Sequence, residues 1–138
     1  MFKLFAAKLV APRLRFSFNR EDDSYYNIEE NSINLDLDPM DYGFLRHLRD
    51  VHGCDSWDKI APQTWALLHE VGHSHTWIEE EDEEDFTRII LQFMDGTDEA
   101  VQNTYFDLPN EWEATEWAIK YVERHPHLIK IIDWMLAH

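Results

Sequence analysis

The sequence predicts an α+β domain in which a small N-terminal antiparallel sheet precedes about five helices. Three observations support this: apolar residues alternate before position 38, they recur at helical spacing after it, and they are numerous enough for a core. Hydrophobic residues make up 44% of the chain and aromatic residues 14%, which excludes a wholly disordered protein. With 138 residues, we expect a single domain spanning positions 1–138.

Two segments near the N-terminus alternate between apolar and polar residues, as strands of a half-buried sheet do. They are residues 13–19 and residues 32–38. The apolar positions are Leu14, Phe16 and Phe18 in the first segment and Ile33, Leu35 and Leu37 in the second. Residues 25–28 are a candidate third strand.

Five later segments carry apolar residues at spacings of three and four, which indicates helices with a buried face. The first begins at Pro39, with Asp38 as its N-cap, and ends at Gly53, and the second runs from Pro62 to about Trp77. The other three cover residues 86–96, 110–123 and 128–135. Residues 79–85 are all acidic and are expected to form a solvated loop that leads into the first turn of the third helix.

Charge and cysteine content limit the classes of function. With 28 acidic and 12 basic residues the formal net charge is −16, so direct nucleic-acid binding is not expected. Cys54 is the only cysteine, which excludes an intrachain disulfide and a metal site made of several thiolates. No apolar run reaches transmembrane length, and Lys8 interrupts the apolar start of the chain. We therefore expect a cytoplasmic protein that does not associate with membranes.

The segment His69-Glu70-Val71-Gly72-His73, within the second predicted helix, has the spacing of a zinc site. Positions i and i+4 of a helix project two imidazoles towards one metal ion. Glu70 lies about 100° around the helix from His69, where its carboxylate can accept a proton from a metal-bound water. The two histidines share a face with apolar residues, and buried imidazoles need polar partners or a metal. These residues predict one Zn²⁺ ion, with Glu70 as general base.

A catalytic zinc ion takes three protein ligands, so a third ligand must lie elsewhere. The metzincin pattern would need glycine and histidine where the chain has Thr76 and Glu79, and it is excluded. In the helix predicted after Asn110, Glu111 shares a face with small residues that would allow close approach to the histidine-bearing helix. Glu113 lies on a more polar face. Glu111 is therefore the favoured third ligand, Glu113 is the alternative, and Glu116 ranks after both.

Other residues are candidates for supporting roles. Thr115, four residues after Glu111, can hydrogen-bond a ligand from outside the first coordination shell. Peptide hydrolysis also needs a donor for the developing oxyanion. The candidates for that donor are Tyr105, Tyr121, His75 and His125.

His69-Glu70-Val71-Gly72-His73 followed by Glu111-x-x-Ala114-Thr115-x-Trp117-Ala118 resembles the gluzincins, and particularly the small ImmA/IrrE-type peptidases of phages and mobile elements. The resemblance covers about residues 30–122. It implies a minimal zincin-like fold, one Zn²⁺ ion, a protein or peptide substrate, and pairing of that substrate with the strand at residues 32–38. Thr115 departs from the asparagine or aspartate that this family has at the same place.

The sequence thus predicts a zinc-dependent metallopeptidase that cleaves peptide bonds with a metal-activated water. The alternative is an acidic regulatory or interaction protein of a phage or mobile element, an inhibitor or DNA mimic, whose zinc site is structural. The net charge of −16 favours the alternative, whereas Glu70 within the histidine pair favours the peptidase. The substrate and the oligomeric state are left open.

Overall fold

A computed structural model describes residues 2–20, 24–37, 42–77 and 105–138. The strands are β1 (Arg15–Asn19), β2 (Tyr25–Asn27) and β3 (Ser32–Asp36). The helices of the described part are α1 (Phe2–Val10), α2 (Tyr42–Asp50), α3 (Pro62–Thr76), α4 (Pro109–Arg124) and α5 (Pro126–Ala137). A small sheet with five helices agrees with the predicted α+β composition. The helix predicted at residues 86–96 and the acidic run at 79–85 lie outside the described residues. None of the described helices is long and apolar enough to cross a membrane.

The sheet is mixed, so the prediction of a wholly antiparallel sheet is wrong. β3 lies between β1 and β2, parallel to β1 and antiparallel to β2. Alternation along a strand indicates which side chains share a face, but it does not identify the neighbouring strand. The observed register satisfies Asn34, a buried residue of β3 whose Oδ1 accepts hydrogen bonds from Ser17 Oγ at 2.8 Å and Asn19 Nδ2 at 2.7 Å.

The strand order also shows that β3 is the central strand of the described sheet and not an edge strand. β3 is paired on both sides, so its predicted role as a substrate-pairing edge strand is wrong. β2 occupies one edge instead, and it contacts α3.

α3 is the central helix of the described residues, since it packs against α1, α4, α5, β2 and β3. Leu67 to His73 are all buried, so α3 is covered on more than one side. The N-terminus of α3 lacks a side-chain cap of its own. Asp133 of α5 supplies one from across the core, accepting hydrogen bonds from the Thr64 hydroxyl and the Ala61 N–H.

α1 was not predicted, because residues 2–10 are apolar on nearly every face and show no helical stripe. Ala6 and Ala7 are fully buried, and Phe2 packs edge-on against Trp134 of α5 with ring centroids 5.4 Å apart. The Lys8 ammonium donates to the backbone oxygen of Leu14 just beyond the helix. Small buried side chains thus place α1 against the core.

Candidate metal centre

α3 places His69, Glu70 and His73 together in a buried position. One ligand atom from each of the three residues lies within 4.8 Å of the others. The two imidazole rings are 4.7 Å apart between centroids and nearly perpendicular, at 84°. This is the arrangement that the i, i+4 spacing predicts for a helix.

A close crossing of α3 and α4 brings a fourth residue to this cluster. A Cβ atom at Gly72 would lie 2.5 Å from the backbone oxygen of Ala114 and 3.0 Å from its Cα. Only glycine fits at such a distance, and the facing residues Ala114, Thr115 and Ala118 are fully buried. The small residues on both helices therefore allow the close approach that was predicted from the sequence of α4.

Glu111 of α4 contacts both histidines. The Nε2 atom of His69 lies 2.7 Å from Glu111 Oε2, and that of His73 lies 3.2 Å from Glu111 Oε1. The Tyr105 hydroxyl donates to the same Oε1 at 2.9 Å. One carboxylate thus links two imidazoles and a phenol, with only 12% of its side chain exposed.

Thr115 lies behind His69. Its hydroxyl donates to the backbone oxygen of Glu111 at 2.9 Å and lies 3.2 Å from Nδ1 of His69. Since the hydroxyl proton is directed to the carbonyl, the oxygen is available to accept the Nδ1–H of the imidazole. This bond orients the ring and leaves Nε2 facing Glu111.

The two buried glutamates have opposite pKa shifts. Burial raises the pKa of Glu70 to about 8, the charge of Glu111 adds to the rise, and His73 and the Tyr26 N–H oppose it. Burial also acts to raise the pKa of Glu111, but the charges and hydrogen bonds of His69 and His73 outweigh it and hold that pKa well below its ordinary range. Glu111 is therefore ionised, whereas Glu70 is poised to take up or release a proton near neutral pH.

The remaining candidates lie elsewhere. Glu113 is exposed, so it is not part of the cluster. Tyr121 stacks on Trp117 at 5.2 Å between ring centroids, and His125 packs beside it at 4.5 Å. His75 stacks on the same Trp117 at 4.9 Å. Of the four candidate oxyanion donors, Tyr105 is the one that the structure brings to Glu111.

No protein-family model, curated protein or solved structure matches this chain.

Two contacts of the site were missed from the sequence. Phe44 of α2 packs edge-on against the His69 ring at 4.9 Å, and the backbone N–H of Tyr26 in β2 donates to Glu70. Phe44 lies within the first predicted helix, but no sequence signal indicates which ring it meets. A backbone donor carries no residue signature, so the Tyr26 contact could be found only from the fold.

Proposed function

We propose that the chain is a zinc-dependent metallopeptidase, with a single Zn²⁺ ion held by His69, His73 and Glu111. The observation that supports it most is the Glu111 carboxylate, whose two oxygens contact the Nε2 atoms of both histidines. Two imidazoles and one carboxylate, the donor groups of a catalytic zinc site, therefore lie side by side. The donor set fits Zn²⁺, since two imidazoles and one carboxylate make a three-ligand site with room for water.

Both glutamates lie near the histidines, and their pKa values favour different roles. Glu70 also lies within 4.8 Å of the imidazole donors, so distance alone admits it as a ligand. A ligand carboxylate must be ionised, which suits Glu111 with its lowered pKa. The pKa of about 8 suits Glu70 to proton transfer. The positive charge of a bound cation would lower the pKa of Glu70 from there towards 7.

Thr115 prepares His69 for metal binding. With the Nδ1–H held by Thr115 Oγ1, the lone pair of Nε2 is the one left for the ion. His69, with Nε2 deprotonated, His73 and Glu111 would hold the ion. His69, His73 and Glu111 thus form a hydrogen-bonded cluster without the ion and a ligand set with it.

When bound, zinc lowers the pKa of its water and polarises the carbonyl of the scissile peptide. Glu70 accepts the proton of the attacking water and returns it to the leaving amine. The Tyr105 hydroxyl, already directed at the site, is the candidate donor to the oxyanion. β2 is an edge strand beside Glu70, and it supports an extended peptide as the substrate.

Two glutamates of the same helix provide the test. Purified protein is expected to hold about one equivalent of zinc, Glu111→Ala to lose it, and Glu113→Ala to keep it, because Glu113 is exposed. Metal content is measured by elemental analysis after dialysis, and the melting temperature is recorded with EDTA and with added zinc. A wild-type protein that neither holds zinc nor melts higher with it contradicts the proposal.

The acidic interaction protein is the second candidate, and the net charge of −16 favours it. Glu70→Gln separates the two functions, because this change removes the proton acceptor while leaving the proposed ligands intact. Loss of peptide cleavage with zinc content unchanged supports the peptidase. Zinc binding with every biological effect retained in Glu70→Gln supports a structural site.

A further inference from the structure

α2 forms a bridge between the two halves of the candidate metal centre. Phe44 packs against His69 of α3 at 4.9 Å and against Phe106, which precedes α4, at 5.6 Å. His47, one turn further along α2, is completely buried. One face of α2 therefore contacts both the histidine-bearing helix and the segment that leads to Glu111.

The His47 imidazole contacts Phe106, Asp107 and Trp112, and it also meets the His52 ring, whose centroid lies 4.9 Å away. The Nε2 atom of His47 lies 2.8 Å from Asp107 Oδ1, and its ring centroid lies 5.5 Å from Phe106 and 5.9 Å from Trp112. Phe106 follows Tyr105, and Trp112 follows Glu111. One buried side chain thus contacts the chain neighbours of both residues that the site takes from this segment.

We propose that His47 is a positioning residue for the metal centre and that, through Asp107, it holds the segment from Tyr105 to Glu111, which includes the first turn of α4. This inference rests on the proposed function, since it assigns His47 a role in ordering the third ligand before the ion binds. Asp107 accepts the Nε2–H of His47, and the bond fixes the turn between Tyr105 and the start of α4. Ordering the turn in advance lowers the entropic cost of binding the metal ion.

The chain contains a closely matched second pair. Nδ1 of His52, just beyond α2, lies 2.9 Å from Glu116 Oε1. Both histidine side chains are at most 1% exposed, while Asp107 is 55% and Glu116 36% exposed. The two pairs adjoin each other, since the His52 ring lies 4.0 Å from Trp112 and 4.9 Å from His47. Their carboxylates differ in position, because Glu116 lies within α4, beyond Glu111, whereas Asp107 lies in the turn before it.

The test compares Asp107→Ala with Glu116→Ala, which remove the same charge and the same kind of bond. Zinc affinity is measured by competition with a chromophoric chelator. Asp107→Ala is expected to weaken binding about 10-fold, in the range for loss of a group that orients metal ligands, and Glu116→Ala to change it by less than about 2-fold. Asp107→Asn keeps an acceptor for His47 without the charge, and should stay within about 3-fold of wild type.

A metal-free measurement tests the ordering directly. Hydrogen exchange of the peptide covering residues 105–112 in EDTA-treated protein should accelerate in Asp107→Ala and not in Glu116→Ala. His47→Asn, which removes the Nε2 donor, should give the same acceleration as Asp107→Ala, and the double variant no more than either. If His47→Asn does not fold, the Asp107→Ala and Asp107→Asn pair decides.

Three results would overturn the positioning role. They are equal zinc affinities for the two alanine variants, an Asp107→Asn affinity as weak as that of Asp107→Ala, and unchanged exchange at residues 105–112 in Asp107→Ala. If wild-type protein binds no zinc, the proposed function fails, and the exchange experiment still decides whether His47 orders the turn.

Discussion

Replacing Gly72 with alanine would place a methyl group against the backbone of α4. The new Cβ would lie 2.5 Å from the Ala114 oxygen and 3.0 Å from its Cα. Ordinary contacts at such atoms are about 3.5 Å, so the two helices must separate by roughly 1 Å. Overpacking of this kind costs about 1–3 kcal/mol, and the better helix propensity of alanine offsets about 1 kcal/mol of it.

The larger effect is expected at the metal centre. α3 carries His69 and His73, and α4 carries Glu111, which lies 2.7 Å from His69 Nε2. A separation of roughly 1 Å across this contact would displace the third ligand, and we expect zinc affinity to fall at least about 10-fold. Thermal unfolding gives the stability change, with a drop of up to about 8 °C for a net cost of at most about 2 kcal/mol, and chelator competition gives the affinity.

Two variants identify the cause of the Gly72→Ala effect. Ser74→Ala, a half-buried change on the same helix, is expected to leave zinc affinity unchanged. Since Gly72 meets the backbone of Ala114, Ala114→Gly in the Gly72→Ala background should not restore binding. The reasoning is refuted if Gly72→Ala melts at or above the wild-type temperature and binds zinc equally well.

Three further predictions follow from single contacts. Burial raises the pKa of Glu70 from 4.5 to about 8. In metal-free protein with EDTA, the neutral carboxyl therefore contributes its full share to the free energy of unfolding below pH 4.5, and this share is lost as the pH rises to about 8. Glu70→Gln should remove this decline, at most about 5 kcal/mol, in urea unfolding at several pH values, and parallel pH profiles would contradict it. Thr115→Val should weaken zinc binding about 10–100-fold in chelator competition, because valine lacks the hydroxyl beside His69 Nδ1. Thr115→Ser keeps that hydroxyl and should bind zinc as the wild type does. Equal affinities for the two variants would exclude the orienting role of Thr115. Asp133→Ala should lower the free energy of unfolding by about 1–2 kcal/mol in urea, since it uncaps α3, and an unchanged midpoint would show that the cap adds no stability.

The sequence alone was enough to predict the local arrangement of the candidate centre. The spacing of His69 and His73 on an apolar stripe predicted that both imidazoles lie on one helix, and α3 spans them. The small residues that follow Glu111 predicted a close helix contact, which the packing of Gly72 against Ala114 agrees with. Both predictions depend on the helical repeat, which is a local property of the chain. That His69, His73 and Glu111 bind zinc is still a prediction.

The tertiary structure decided which groups meet over long distances along the chain. Three features depend on segments whose sequence patterns are independent of one another. They are the parallel pairing of β1 with β3, the burial that raises the pKa of Glu70, and the contact of His47 with Asp107. Periodicity indicates the buried face of an element, but the neighbour on that face depends on how all the elements pack together. The sequence therefore determined which residues could take part in the site, and packing determined that Glu111 reaches the two histidines while Glu113 lies in solvent.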